Sequence, residues 1–220
     1  WVTGGATYTT LEDNLISGNK SHGVLVDGDA SWTTLRGNRI GTNAAGTVKV
    51  PNMASGVVIA GAPHTVIGDV GHSAPPSTCS GGCNLISGND EVGIQAVNSG
   101  DIKIVGNFIG TTLQGNVGLG NTRHGVVIDG GTVEANVIAD NKTGLKVHPS
   151  VPTAINGNYV GTGADGVTAL GNKEWGMDLG RSPSLIAHGN RIWHNPIGVK
   201  TEGATILHNS IQKSQSGSAD

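Results

Sequence analysis

The 220-residue chain carries 37 Gly, only seven aromatic residues (4 Trp, 2 Tyr, 1 Phe) and 13% charged residues, a composition that favours strands and tight turns over long helices. A formal net charge of −3 supplies no basic patch for nucleic acid, and no stretch nears the ~18 apolar residues that span a bilayer. Neither a nucleic-acid partner nor membrane insertion is expected, and the opening WVTGGATYTT has no charged or apolar leader region.

In chain order, eight segments share one signature: NLISGN at 14, NRIGTN at 38, NLISGN at 84, NFIGTT at 107, NVIADN at 136, NYVGTG at 158, NRIWHN at 190 and NSIQ at 209. The third letter is Ile16, Ile40, Ile86, Ile109, Ile138, Val160, Ile192 and Ile211, β-branched and apolar in every case. A glycine and a short alternating strand follow: GVLVDG at 23, GVVIAG at 56, GIQAV at 93, GVVIDG at 125, GLKVHP at 144, GMDLG at 176 and GVKTEG at 198. Three residues before most anchors stands another apolar residue, Leu11, Leu35, Ile104, Val133, Ile155 or Ile206. Three short strands per repeat, each with period-two alternation, predict three faces. From anchor Asn to strand Gly the spacing runs 9, 18, 9, 18, 8, 18, 8, so short and long corners alternate.

A unit of roughly 20–30 residues cannot bury its apolar side alone, and stacking equivalent units is what gives it a core. The chain is therefore expected to coil, each strand pairing in parallel with its equivalent about 4.8 Å away. The isoleucines form an interior column and the anchor asparagines a corner column. A partial further column is expected at Asn19, Asn43, Asn89, Asn141 and Asn195, and an outward threonine column at Thr10, Thr34, Thr65, Thr132 and Thr205. An insertion at 70–83 contains CSGGC, where Cys79 and Cys83 are expected to form a small disulfide suited to an oxidising, extracellular setting. A metal would need more ligands than His72 adds.

The segments NRIGTNAAGTVKVPN…GVVI, NFIGTTLQGNVGLGN…GVVI and NYVGTGADGVTALGN…GMDL resemble the right-handed parallel β-helix repeats of the pectate-lyase-like superfamily, found in large bacterial surface and secreted proteins. The resemblance covers nearly the whole chain and implies an all-β fold: one right-handed parallel β-helix domain, 1–220, of about eight turns with alternating short and long corners. It leaves activity open, because that superfamily holds lyases, glycoside hydrolases, epimerases, tail spikes and adhesins. The NTD, DD, GHG and RIK elements of polygalacturonases are missing, and no DPH marks an alginate-epimerase-like site.

Alternation also predicts what faces outward. After each anchor come Leu15, Arg39, Leu85, Phe108, Val137, Tyr159, Arg191 and Ser210, with Trp193 outward beyond Tyr159. Phe108 and Tyr159 lie two turns apart, about 10 Å by strand spacing, close to a disaccharide step. Rings accept the apolar faces of sugars, and Arg39 and Arg191 suit uronate carboxylates, so Arg39, Phe108, Tyr159, Arg191 and Trp193 form the candidate ligand-binding stripe. The competing reading has a neighbouring long corner fold over this face and hide it, or has the face pack on another chain. On the strand after Gly, Lys146, Asp178 and Lys200 occupy consecutive rungs. They are the catalytic candidates if the protein is a lyase or epimerase, in which a base removes a proton beside a carboxylate and a cation stabilises the charge that develops. A surface ion-pair ladder is the alternative. Asp27 and Asp129 stand in DG pairs explained by turn formation or by Ca2+; no cofactor is otherwise expected.

The primary expectation is a non-catalytic, secreted or cell-surface β-solenoid, structural or adhesive, whose partner is polysaccharide or neighbouring copies of itself. A polysaccharide lyase or epimerase acting on uronate glycans is the second reading. The third is a self-assembling fibre subunit, or else a segment of a longer array, because residues 1–13 already read as a strand and SIQKSQSGSAD ends just past the last Ile.

Overall fold

The computed structural model describes residues 1–148 and 152–212; the terminal KSQSGSAD, which enters the end-stacking expectation, lies outside them. Each turn contributes up to three short strands, one to each of three sheets. Sheet I runs from Thr10–Glu12 to Thr205–Leu207 in eight strands, and sheet II from Leu15–Ile16 to Ser210–Gln212 in eight. Sheet III runs from Val24–Val26 to Ile197–Lys200 in seven. Every pairing between these strands is parallel, and strands three apart in sequence are neighbours in space. The chain is a right-handed parallel β-helix.

The interior is aliphatic. Ile40, Ile86, Ile109, Ile138, Val160 and Ile192 form one buried column, in register rung by rung. Leu35, Ile67, Ile104, Val133, Ile155 and Ala187 form the second column, from sheet I. Sheet III closes the triangle with pairs such as Val57/Ile59, Val126/Ile128 and Met177/Leu179. Three faces that each hide alternate residues around one dry axis are what the period-two pattern requires.

Two asparagine ladders run parallel to this core. In the first, the backbone N–H and side-chain amide of each Asn donate to the side-chain oxygen of the next, from Asn14 through Asn38, Asn84, Asn107, Asn136, Asn158 and Asn190 to Asn209. The second links Asn19, Asn52, Asn89, Asn121, Asn141, Asn172 and Asn195. Asn43, expected there, does not belong; its side-chain Oδ1 accepts from Thr47 N and Val48 N inside the long corner. The register is set by counting back from the strand glycine rather than forward from the anchor: Asn52 precedes Gly56 as Asn19 precedes Gly23. The glycine itself is demanded by this ladder. A Cβ on Gly125 would come within 2.6 Å of Gly144 O and 2.8 Å of Asn141 Nδ2.

In the third turn the sheet I strand is Val66–Gly68, and Val66 pairs with Thr34 and Lys103. Thr65 is therefore one residue out of the outward column and is buried, donating to Ala62 O at 3.0 Å. The insertion between Gly68 and Leu85 concealed this register, because the corner it enters holds only two residues in the other turns.

Candidate functional site

The three long corners are small hairpins, closed by the bridges Thr42 to Lys49, Thr111 to Gly118 and Thr162 to Ala169. At their tips Gly46, Gly115 and Gly166 adopt φ of 65°, 67° and 72°, a left-handed backbone that glycine adopts without strain. These tips fold back over sheet II. A Cβ on Gly46 would sit 2.7 Å from Leu85, one on Gly115 2.7 Å from the Phe108 ring, and one on Gly166 3.0 Å from the Tyr159 ring. The insertion joins the cover: the Cys79–Cys83 disulfide packs with Leu85, Phe108, Val137, Ala164 and Leu113 in a second apolar cluster, and Cys79 N–H donates to Leu113 O at 3.1 Å.

This cover corrects the expected ligand stripe. Phe108 is fully buried, a core residue of the second cluster rather than a platform for sugar. Tyr159 is half-buried beneath the Gly166 hairpin. Arg39 lies near the opposite end, five rungs from Arg191 and so about 24 Å away along the axis. Its guanidinium donates to Ala44 O, and with Asp13, Asn14, Leu15 and Gly37 it lines a separate shallow pocket. What remains together is Tyr159, Arg191 and Trp193. The Arg191 Cζ is 5.1 Å from the Tyr159 ring centre and 4.7 Å from that of Trp193, and Nη1 donates to Gly166 O at 3.0 Å. Trp193 Nε1–H donates to Ser210 Oγ at 3.0 Å. The result is a partly exposed cation held against two aromatic rings just past the last hairpin.

On sheet III, Lys146, Asp178 and Lys200 do occupy consecutive rungs. Lys200 Nζ is 3.6 Å from Asp178 Oδ1 and 4.8 Å from the Trp175 ring centre. The Asp178 side chain is only 8% exposed, so the carboxylate sits low between the lysines and already has a cationic partner. One rung beyond Thr143, His124 is held below the ordinary imidazole range, first by burial and then by Lys146, Arg123, Lys142 and His148. Asp27 accepts from Trp1 Nε1 at 2.9 Å, and its carboxyl is held below the usual range by hydrogen bonds from Thr3 and Trp1. Among the described residues no three His, Cys, Asp or Glu side chains converge.

Neither a protein-family model nor a curated protein matches this sequence. The functional reading therefore rests on the chain's own residues.

A further surface feature carries no sequence motif. Tyr8, Trp32 and His64 form a stepped stack, with ring centres 6.0 and 4.3 Å apart and planes inclined by 15° and 17°. His64 Nδ1 lies 3.2 Å from Asp101 Oδ2. All four adopt φ between 54° and 58°, a conformation bulky side chains rarely take. Each sits two residues before a sheet I strand, a spacing hidden by the misplaced Thr65. The rings face one another along the axis, so the stack offers a lateral ligand mainly ring edges.

Proposed function

We propose that this protein is a non-catalytic β-solenoid of the pectate-lyase-like type, secreted or cell-surface, that serves as a rigid scaffold and holds polysaccharide at the Tyr159/Arg191/Trp193 patch. The observation that carries the reading is the placement of its few aromatic residues. Of seven, only Phe108 belongs to a buried cluster; Trp1, Tyr8 and Trp32 are exposed and Tyr159, Trp175 and Trp193 half-buried, around an aliphatic core. Rings shown to water rather than used in packing are what stacking on sugar faces requires, and the guanidinium beside them suits a uronate carboxylate. The Cys79–Cys83 disulfide supports an oxidising location. Affinity electrophoresis against uronate-containing and neutral polysaccharides tests this: retardation by an acidic glycan is expected, and Trp193→Ala should abolish it. Retardation unchanged in that variant, or none by any glycan, overturns the proposal.

A second reading has its own observation, the largely buried Asp178 carboxylate flanked by Lys146 and Lys200. As a uronate lyase, Asp178 would take the proton beside the sugar carboxylate while a lysine stabilises the charge. An unsaturated, ultraviolet-absorbing product that disappears in Asp178→Asn would establish it.

A further inference from the structure

Two histidines outside both candidate patches come together at the corner between sheets I and II. His188 ends the strand Leu185–His188 and faces outward. His208 follows the strand Thr205–Leu207, one rung on, where Leu207 pairs with His188. Its φ of 51° belongs to a corner column that Gly37, Gly106, Gly157 and Gly189 occupy in other turns, so a ring is mounted where the coil mostly keeps a hydrogen atom. His188 Nε2 and His208 Nδ1 are 3.2 Å apart, and the ring planes cross at 84°. Both side chains are exposed, and the corner beside them is open: a Cβ on Gly189 would meet nothing within 4 Å.

We infer that His188 and His208 form a two-point chelating site for a nitrogen-preferring divalent transition metal. With each nitrogen about 2.05 Å from a common ion, a separation of 3.2 Å closes an angle at the metal of about 103°, between the square (about 90°) and tetrahedral (about 109°) values. Turning both lone pairs onto that point takes a rotation of the two rings, which their exposure and the open corner permit. The backbones of neighbouring rungs are fixed by parallel pairing, so once one imidazole binds, the second is already in reach and little further order is lost. No third protein ligand joins them among the described residues, so water completes the coordination. Nothing but the donors then selects the metal, and affinity follows the intrinsic preference of imidazole, with Cu2+ ahead of Ni2+ and Zn2+.

Isothermal titration of the whole chain, without a polyhistidine tag, with Cu2+, Ni2+ and Zn2+ tests the site. A single equivalent is expected, tightest for Cu2+, and either His188→Ala or His208→Ala should weaken it about tenfold or more. His64→Ala should leave it unchanged. Paramagnetic resonance of the Cu2+ complex should show two nitrogen ligands in the native chain and one in either variant. Both positions are exposed, and unchanged circular dichroism verifies that the variants fold. Absence of saturable binding, equal affinity in the double variant, or the same loss from His64→Ala overturns the inference.

Discussion

A single asparagine in this coil satisfies several backbones at once. Asn136 donates through Nδ2 to Ile104 O, Glu134 O and Asn158 Oδ1 at 2.8, 2.9 and 3.0 Å, and its own oxygen accepts from Asn107 N and Nδ2 at 2.9 and 3.0 Å. It is fully buried, so Asn136→Ala takes a partner from two donors and three acceptors without water to replace it. Orphaned buried groups cost about 1–3 kcal/mol each before relaxation, and a loss of about 3–5 kcal/mol is expected in the unfolding free energy measured by chemical denaturation. The surface substitution Arg36→Ala, which breaks only the exposed pair with Glu12, should leave the denaturation midpoint essentially unchanged, because solvent screens that pair. A residue-scale pH effect follows from His124. Burial and the cations around it lower its folded affinity for a proton, so the unfolded chain protonates first, near the ordinary imidazole value of about 6.5. Stability is then highest above that pH and falls as the solution is acidified through it. Denaturation midpoints between pH 8 and pH 5 should show a fall that His124→Gln reduces; an identical slope in the variant refutes the assignment.

At the scale of strands and corners, the hairpins and the insertion convert Leu85, Phe108 and Val137 of the outward stripe into interior. Phe108→Ala should therefore behave as a core deletion, costing about 3–5 kcal/mol, and leave polysaccharide retardation of the folded fraction unchanged. Reducing Cys79–Cys83, whose partners are four apart in sequence, should cost about 2 kcal/mol by the chain-entropy account and expose the Phe108 cluster to a hydrophobic dye. Much of this level is written in the sequence. The isoleucine column, the first asparagine ladder and the alternation of corners are legible because each strand repeats its period-two pattern at a constant offset from its anchor. The second ladder is legible only by counting back from the strand glycine, which distinguishes Asn52 from Asn43. The burial of Phe108 was not legible in the same way: no local pattern records which way a hairpin leans, since that depends on Gly115 and the disulfide meeting the ring in space. The His188/His208 approach is implicit in the alignment of anchors Asn190 and Asn209, yet neither residue carries a motif that announces it.

For the whole molecule, the architecture is one-dimensional. Each turn contacts chiefly the turns on either side, so stability is close to a sum of turn and interface contributions, and opening proceeds from the ends. The two ends of the described coil differ from its middle in the way this predicts. Ile109 is fully buried between Ile86 and Ile138, whereas Ile211, the last member of the same column, is 48% exposed. Identical truncations should then have unequal effects: Ile109→Ala costs about 2–5 kcal/mol, while Ile211→Ala costs less than about 1 kcal/mol. Hydrogen exchange should show the same gradient, with amides of the strands Phe108–Ile109 and Val137–Ile138 the last to exchange and those of Thr10–Glu12 and Ser210–Gln212 among the first. A globally cooperative unit would give one exchange rate at the unfolding limit for all of these amides. Uniform protection would therefore show that the long corners and the strapped insertion, by bridging several turns, couple the coil more tightly than nearest-neighbour stacking does.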